Sequence, residues 1–156
     1  MDLVIDIQCN KDHKNTISPK EVALVALKED YIAHWIIVGS VPLKKLPGSV
    51  KRKNNWLTQN YHGLEFTDGD VTQKVLYKSL RSILKNAQKI YVRGEEKQKI
   101  LNDLSMRETI NLENVELCPS FEKLPWEEKY CICHAQKPSY TRYACAALNN
   151  AYRLKR

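Results

Sequence analysis

Asp6 and Gln8 are the first residues in this chain whose types and spacing bear on chemistry. Both lie in the apolar run "LVIDIQ", residues 3–8. On a strand, side chains two apart share a face. An Asp and a Glu so placed would cradle a divalent metal, but Gln8 is neutral and holds such an ion less well. Asp6 has two plainer readings, a solvated sheet edge or a partnership with a lysine. A second group is Cys118, Cys131, His134 and Cys145, separated by twelve, two and ten residues. Cys131-x-x-His134 suits two ligands on one tetrahedral ion, with Cys133 a competing ligand next door. A structural Zn²⁺ there would tie the segment "EEKYCICHAQKP" to the end of the chain through Cys145. The alternative is that Cys118 and Cys145 are small buried apolar residues and that His134 lies at the surface.

Two basic groupings could meet an anion. Lys51, Arg52 and Lys53 are interleaved with Asn54, Asn55 and the aromatics Trp56, Tyr61 and Phe66. Aromatic faces stack bases while cations neutralise phosphate, the pairing that single-strand binding requires. Such aromatics also serve as core plugs beneath a long loop. The other grouping is Lys74, Lys78, Arg81, Lys85 and Lys89, with no acid from Val71 to Gly94. A solvated helix face usually mixes signs to gain i,i+4 pairs, so a phosphate-tracking ridge is the sharper reading. His62, before Gly63, is either a ligand contact or a turn residue.

The elements that must position these residues follow from periodicity. "LVIDIQ", "EVALVAL" (21–27) and "YIAHWIIVGS" (31–40) read as three strands, the last two joined by a hairpin turn at "KED" and rich in β-branched and aromatic residues. Short connections make them an antiparallel meander. Residues 41–70 read as a long connection, with a short helix around 50–60. "TQKVLYKSLRSILKNAQ" is an amphipathic helix, with Leu76, Leu80, Ile83, Leu84 and Ala87 on one side and Asp70 or Thr72 as its cap. "KIYVRG" is a buried strand. "EEKQKILNDL" is a helix with acids in its first turn, where the dipole favours them. "ETINLEN" is a further strand, and the C-terminal "SYTRYACAALNNAYRLKR" an amphipathic helix. A meander followed by alternating helices and strands implies an α/β fold with a mixed sheet.

The totals set the frame. The chain has 156 residues, 43% hydrophobic and 28% charged, which suits one domain spanning 1–156 with one core, and a possible zinc-binding subregion at 118–145. The net charge of +7 favours anionic partners. No apolar stretch approaches the ~18 residues needed to span a bilayer. The start lacks the pattern of a secretory signal. The expected location is therefore intracellular, cytoplasmic or nuclear, and clustered cysteines in a reducing compartment suggest metal more than disulfides.

The order of these landmarks resembles the DEDD-type 3′–5′ exonucleases of the RNase H-like fold. "VIDIQ" looks like the first motif, an Asp-x-Glu strand. "YHGLEFTDGDV" resembles the segment before the family's helix, and "KIYVRGEEKQKIL" a strand-to-helix segment carrying an aspartate. "CAALNNA" resembles the last motif, which bears a histidine and an aspartate. The chain is also similar to uncharacterised proteins of invertebrate genomes sharing "NNWLTQNYHGL", "IYVRGEEK" and "LCPS", a group expected to be viral or mobile-element derived.

In the resembled family four carboxylates hold two metal ions that activate water and stabilise the leaving oxygen. Carried over position by position, the first aspartate is Asp6 and its partner glutamate is Gln8. The later positions fall on Lys97, Cys145 for the histidine, and Asn150. One carboxylate of four remains. A lysine ~4 Å from a divalent cation is repelled by several kcal/mol at a protein-like dielectric. The resemblance thus implies a catalytically degenerate domain, a pseudoenzyme that binds nucleic acid, a protein partner or both. Two alternatives stay open: a Mg²⁺- or Mn²⁺-dependent exonuclease with a rearranged site around Asp6, Glu95 or Glu96, and Asp103; and a structural or assembly protein. Oligomeric state is not legible.

Overall fold

The computed structural model describes residues 1–114 and 146–155. Its centre is a five-stranded mixed sheet in the order β3-β2-β1-β4-β5. The strands are β1 (Leu3–Lys11), β2 (Ile17–Ala26), β3 (Ile32–Ile36), β4 (Ile90–Val92) and β5 (Thr109–Asn111). β1, β2 and β3 pair antiparallel, and β4 and β5 run parallel to β1. Four helices accompany them among the described residues: α1 (Gly48–Leu57), α2 (Gln73–Leu84), α3 (Glu95–Leu104) and α4 (Ala146–Lys155). The α/β class and the meander are as the sequence implied. No described helix is long and apolar enough to cross a membrane.

Strand alternation gives the sheet two unlike faces. Leu3, Ile5 and Ile7 of β1, with Val22, Leu24 and Ala26 of β2, point to one side. There they meet Leu76, Leu80 and Leu84 of α2 and Leu101 and Leu104 of α3 in the main core. Each leucine so buried contributes roughly 1.5–3 kcal/mol. The other face carries Asp6 and Gln8 beside Glu21, Ala23 and Val25. Its cover is α4, whose Ala147 and Ala151 pack on Ala23 and Val25. Alanines one helical turn apart let the helix sit close to the strands.

Several boundaries differ from the sequence reading, each for a local reason. β2 begins at Ile17 rather than 21 and runs through Pro19, because β1 shifts register between Gln8 and Cys9. A bulge is one of the few places where a strand tolerates a residue with no N–H. β3 ends at Ile36; the Ile37 amide still donates to the Lys20 carbonyl of β2 at 2.8 Å, while Ile37 bridges Val71 on its other side. Lys20 fastens this junction. It is buried, and its Nζ donates to the carbonyls of Ile37, Phe66 and Asp68 at 2.9, 3.0 and 2.5 Å. Thr72, not Asp70, caps α2, its Oγ1 accepting from the Val75 amide at 3.2 Å. α1 passes into a π-helical turn at Thr58–His62 that ends on Gly63 in the left-handed region, which glycine enters without steric cost.

Candidate functional site

Three side chains from three elements, β1, α3 and α4, meet at one carboxylate. Asp6 is fully buried on β1, beyond Leu3 and Val4, the positions that pair with β4. The end of that short strand leaves room beside Asp6, and Lys97 enters from the first turn of α3. Its Nζ lies 2.6 Å from Asp6 Oδ1. Gln8 Nε2 donates to Oδ2 at 2.9 Å, and Asn150 Nδ2 of α4 donates to the same oxygen at 3.1 Å. Of the two plainer readings of Asp6, the lysine partnership is the one realised.

Local geometry explains why each donor arrives. Gly94 has φ 124° between β4 and α3, so a side chain there would be strained. A Cβ at that position would meet the Lys97 stem at 3.4 Å, an ordinary contact, so the constraint on this residue is the backbone angle. Asn111 Oδ1 fixes this turn by accepting from the amides of Gly94 and Glu113, both at 3.0 Å. Asn150 is delivered by its neighbours Ala147 and Ala151, whose small side chains set α4 close on β2.

The cluster is electrostatically closed. One carboxylate accepts one ammonium and two amide N–H groups, so its charge is matched and both oxygens are engaged. A pair of divalent ions does not fit these residues: the cluster holds a single acid, and Lys97 already neutralises it. Glu95 and Glu96 lie exposed in the first turn of α3 and Asp103 in its last. At 1.5 Å rise per residue, Glu96 and Asp103 stand about 10 Å apart along the helix. Among the described residues no three His, Cys, Asp or Glu side chains are grouped so as to hold a metal. Cys118, Cys131, His134 and Cys145 lie outside the described residues, as does Cys133.

A second buried acid lies on the same face and carried no sequence signature. Glu21 is fully buried; its Oε2 accepts from His34 Nε2 at 2.7 Å and its Oε1 from the Ala147 amide at 3.0 Å. The carboxylate therefore pins the first turn of α4, where the helix dipole favours negative charge. In sequence these partners are 13 and 126 residues away, too far for any local pattern. Burial first of all pushes the thiol of Cys9, which follows the bulge, up to about 12, against the opposing pull of Lys97. A protonated thiol is a poor nucleophile and a poor ligand.

His62 is buried and structural in placement. The Leu64 amide donates to Nδ1 at 3.1 Å, which puts the ring proton on Nε2, 2.8 Å from Asn10 Oδ1. The aromatics of the loop divide. Phe66 joins a small core with Leu46 and Val50, whereas Trp56 and Tyr61 are 45% and 52% exposed. These two pack edge to face with centroids 5.3 Å apart, and Lys53 Nζ lies 4.6 Å over the indole. Arg52 and Lys53 are exposed and Lys51 half-buried. Asn54 anchors this helix to the end of β1, bonding the Lys11 amide and carbonyl at 2.7 and 2.9 Å. The π-helical turn that follows touches α4. Lys74, Lys78 and Arg81 on α2 and Lys85 at its C-cap are all exposed, on the side of the sheet away from α4. The two basic groupings are thus on separate surfaces, and the α1 group is the one that neighbours the helix carrying Asn150.

Compared with protein-family models and with curated proteins, the chain matches none.

Proposed function

We propose that this chain is an RNase H-like domain of exonuclease descent whose metal site has been replaced by a fixed internal ion pair, and that it binds single-stranded nucleic acid without cleaving it. The observation that carries the reading is the 2.6 Å contact of Lys97 with buried Asp6. Gln8, Lys97 and Asn150, at separations of 2, 91 and 144 residues from Asp6, are the positions that the family's acids would occupy. The strand order β3-β2-β1-β4-β5 with an antiparallel meander first supports the same descent. Binding is assigned to α1 and the turn after it. There Trp56 and Tyr61 offer exposed rings, and Lys51, Arg52 and Lys53 offer charge. The α2 row adds a second positive surface to a chain of net charge +7.

The test uses the purified chain, a labelled single strand, and Mg²⁺ or Mn²⁺. No cleavage product is expected with either metal; product formation abolished by Asp6→Asn would establish the exonuclease alternative instead. Anisotropy of the same strand should report binding that weakens as salt rises, the mark of phosphate contacts. Trp56→Ala should cost roughly 1–3 kcal/mol of that affinity, the worth of one stacked base. An affinity that ignores both salt and Trp56 removes the nucleic-acid assignment.

A further inference from the structure

The outer strands of the central sheet are protected unequally. β5 is three residues long, short enough to blunt further pairing. β3 pairs with β2 and leaves its other side as a sheet edge. In an antiparallel ladder alternate residues bond the neighbouring strand and the rest face away. The Tyr31 carbonyl accepts from the Ala26 amide at 2.9 Å, and the Ile37 amide donates to the Lys20 carbonyl at 2.8 Å. The backbones of Tyr31, Ala33, Trp35 and Ile37 are thereby turned to β2, and those of Ile32, His34 and Ile36 outward. The Ile36 end is closed: its carbonyl accepts from the Asp70 amide at 3.3 Å, and the Val38 amide donates to the Val71 carbonyl at 2.9 Å. The backbone N–H and C=O groups of Ile32 and His34 have no partner among the described residues. They form an open window centred on Ala33. Natural monomers guard such an edge with lysine, proline or a bulge. Residues 31–37 contain no lysine or proline, and the register between β2 and β3 is unbroken.

We propose that this edge is the interface of a homodimer, in which β3 of one copy lies antiparallel to β3 of a second about a twofold axis at Ala33. The window is symmetric about that residue. Ile32 of each copy therefore faces His34 of the other, and the open groups of both windows are satisfied together. The same axis brings Tyr31 opposite Trp35 of the second copy, on the α2 side of the sheet. Aromatic pairs across strands stabilise a ladder, and every contact occurs twice, as an isologous interface requires. Tyr31 and Ile32 are 38% and 51% exposed, so apolar surface is there to be covered. The closed Ile36 end would obstruct a long extended peptide. A second copy avoids that obstruction, because its chain bends away at residues 27–30. Charge agrees: residues 31–43 hold no Lys, Arg, Asp or Glu, the longest such run in a chain of net charge +7. Like-charged copies repel least there, and the run offers phosphate no cation. The inference stands apart from the nucleic-acid reading of α1, and either can fail alone.

Sedimentation equilibrium of the whole chain over a wide range of concentration should show a single monomer–dimer equilibrium, a weak one because a strand pair is a small interface. Ile32→Lys places a charge in the window and should weaken dimerisation by at least ~10-fold, equivalent to about 1.4 kcal/mol. Val75→Lys, at a side chain 49% exposed on α2, should leave it unchanged. A circular dichroism melt verifies that both variants fold. Hydrogen exchange of the unaltered chain supplies a measurement independent of any variant. From dilute to concentrated sample, the Ile32 and His34 amides should exchange at least ~10-fold more slowly, while those of Ala33 and Trp35, already bonded to β2, should not change. A chain that stays monomeric throughout overturns the proposal, as does self-association that survives Ile32→Lys or runs on past the dimer. Exchange at Ile32 and His34 that ignores concentration overturns it equally.

Discussion

The two faces of the central sheet solve the same packing problem with opposite materials. Under α2 and α3 the contact is leucine, isoleucine and valine, a surface whose stability grows with area and needs little angular accuracy. Under α4 the strands offer Asp6, Glu21, Ala23 and Val25, and the helix replies with alanines, an asparagine and a backbone amide. That face has less apolar area to bury and depends on hydrogen-bond geometry. A buried ion pair rarely stabilises more than apolar side chains of similar volume. The needs of the core alone therefore do not explain its presence here.

The largest effect expected from breaking this comparison lies on the apolar side. Leu80→Ala removes a side chain from the middle of the main core and should lower stability by about 4 kcal/mol. Chemical denaturation followed by circular dichroism reads the loss, and a value below about 1 kcal/mol would mean that α2 is not essential to the core. Lys97→Met comes next. It leaves a fully buried carboxylate with two amide donors and no counter-charge, at a cost of roughly 3 kcal/mol. The informative variant is the pair Asp6→Leu with Lys97→Met, which removes both charges. If the cluster is an inheritance rather than a stabilising device, the double variant should recover most of the loss. A double variant no better than Lys97→Met would show instead that the ion pair itself holds α3 and α4 in place.

The contrast between these faces also explains what could be read in advance. Helices α2 and α3 were legible because Leu76, Leu80 and Leu84, and Leu101 and Leu104, repeat at helical spacing. Strand β1 was legible from its apolar run, and its acid from interrupting that run. The meeting of Asp6 with Lys97 and Asn150 came only from the resemblance to exonuclease motifs, because residues 91 and 144 positions apart share no periodicity. Glu21 was hidden more completely. It heads "EVALVAL" as an ordinary polar strand end, and its value depends on α4 arriving above it. The exposure of Trp56 and burial of Phe66 were likewise undecidable, since both sit in a segment without a repeating pattern.

A smaller test compares a fully buried acid with a partly exposed one. Asp12, in the loop between β1 and β2, accepts from the Lys14 and Thr16 amides at 2.9 and 3.0 Å and from Thr16 Oγ1 at 2.6 Å. Burial there raises the carboxyl's pKa, but the Thr16 and Lys14 hydrogen bonds outweigh it, and the net shift is downward. A depressed folded-state value means stability that is present above the unfolded pKa of ~3.9 and lost as pH falls through the folded one. Asp12→Asn should therefore lower the melting temperature by only about 1–2 °C at neutral pH, the yield of roughly 0.5 kcal/mol from a solvent-screened turn. That difference should shrink as the wild-type carboxylate protonates below pH ~4. The expected gap between this slight effect and that of Lys97→Met measures how much of an acid's influence on this fold comes from being cut off from water. Equal effects at the two sites would remove burial as the reason that Asp6 demands a permanent cation.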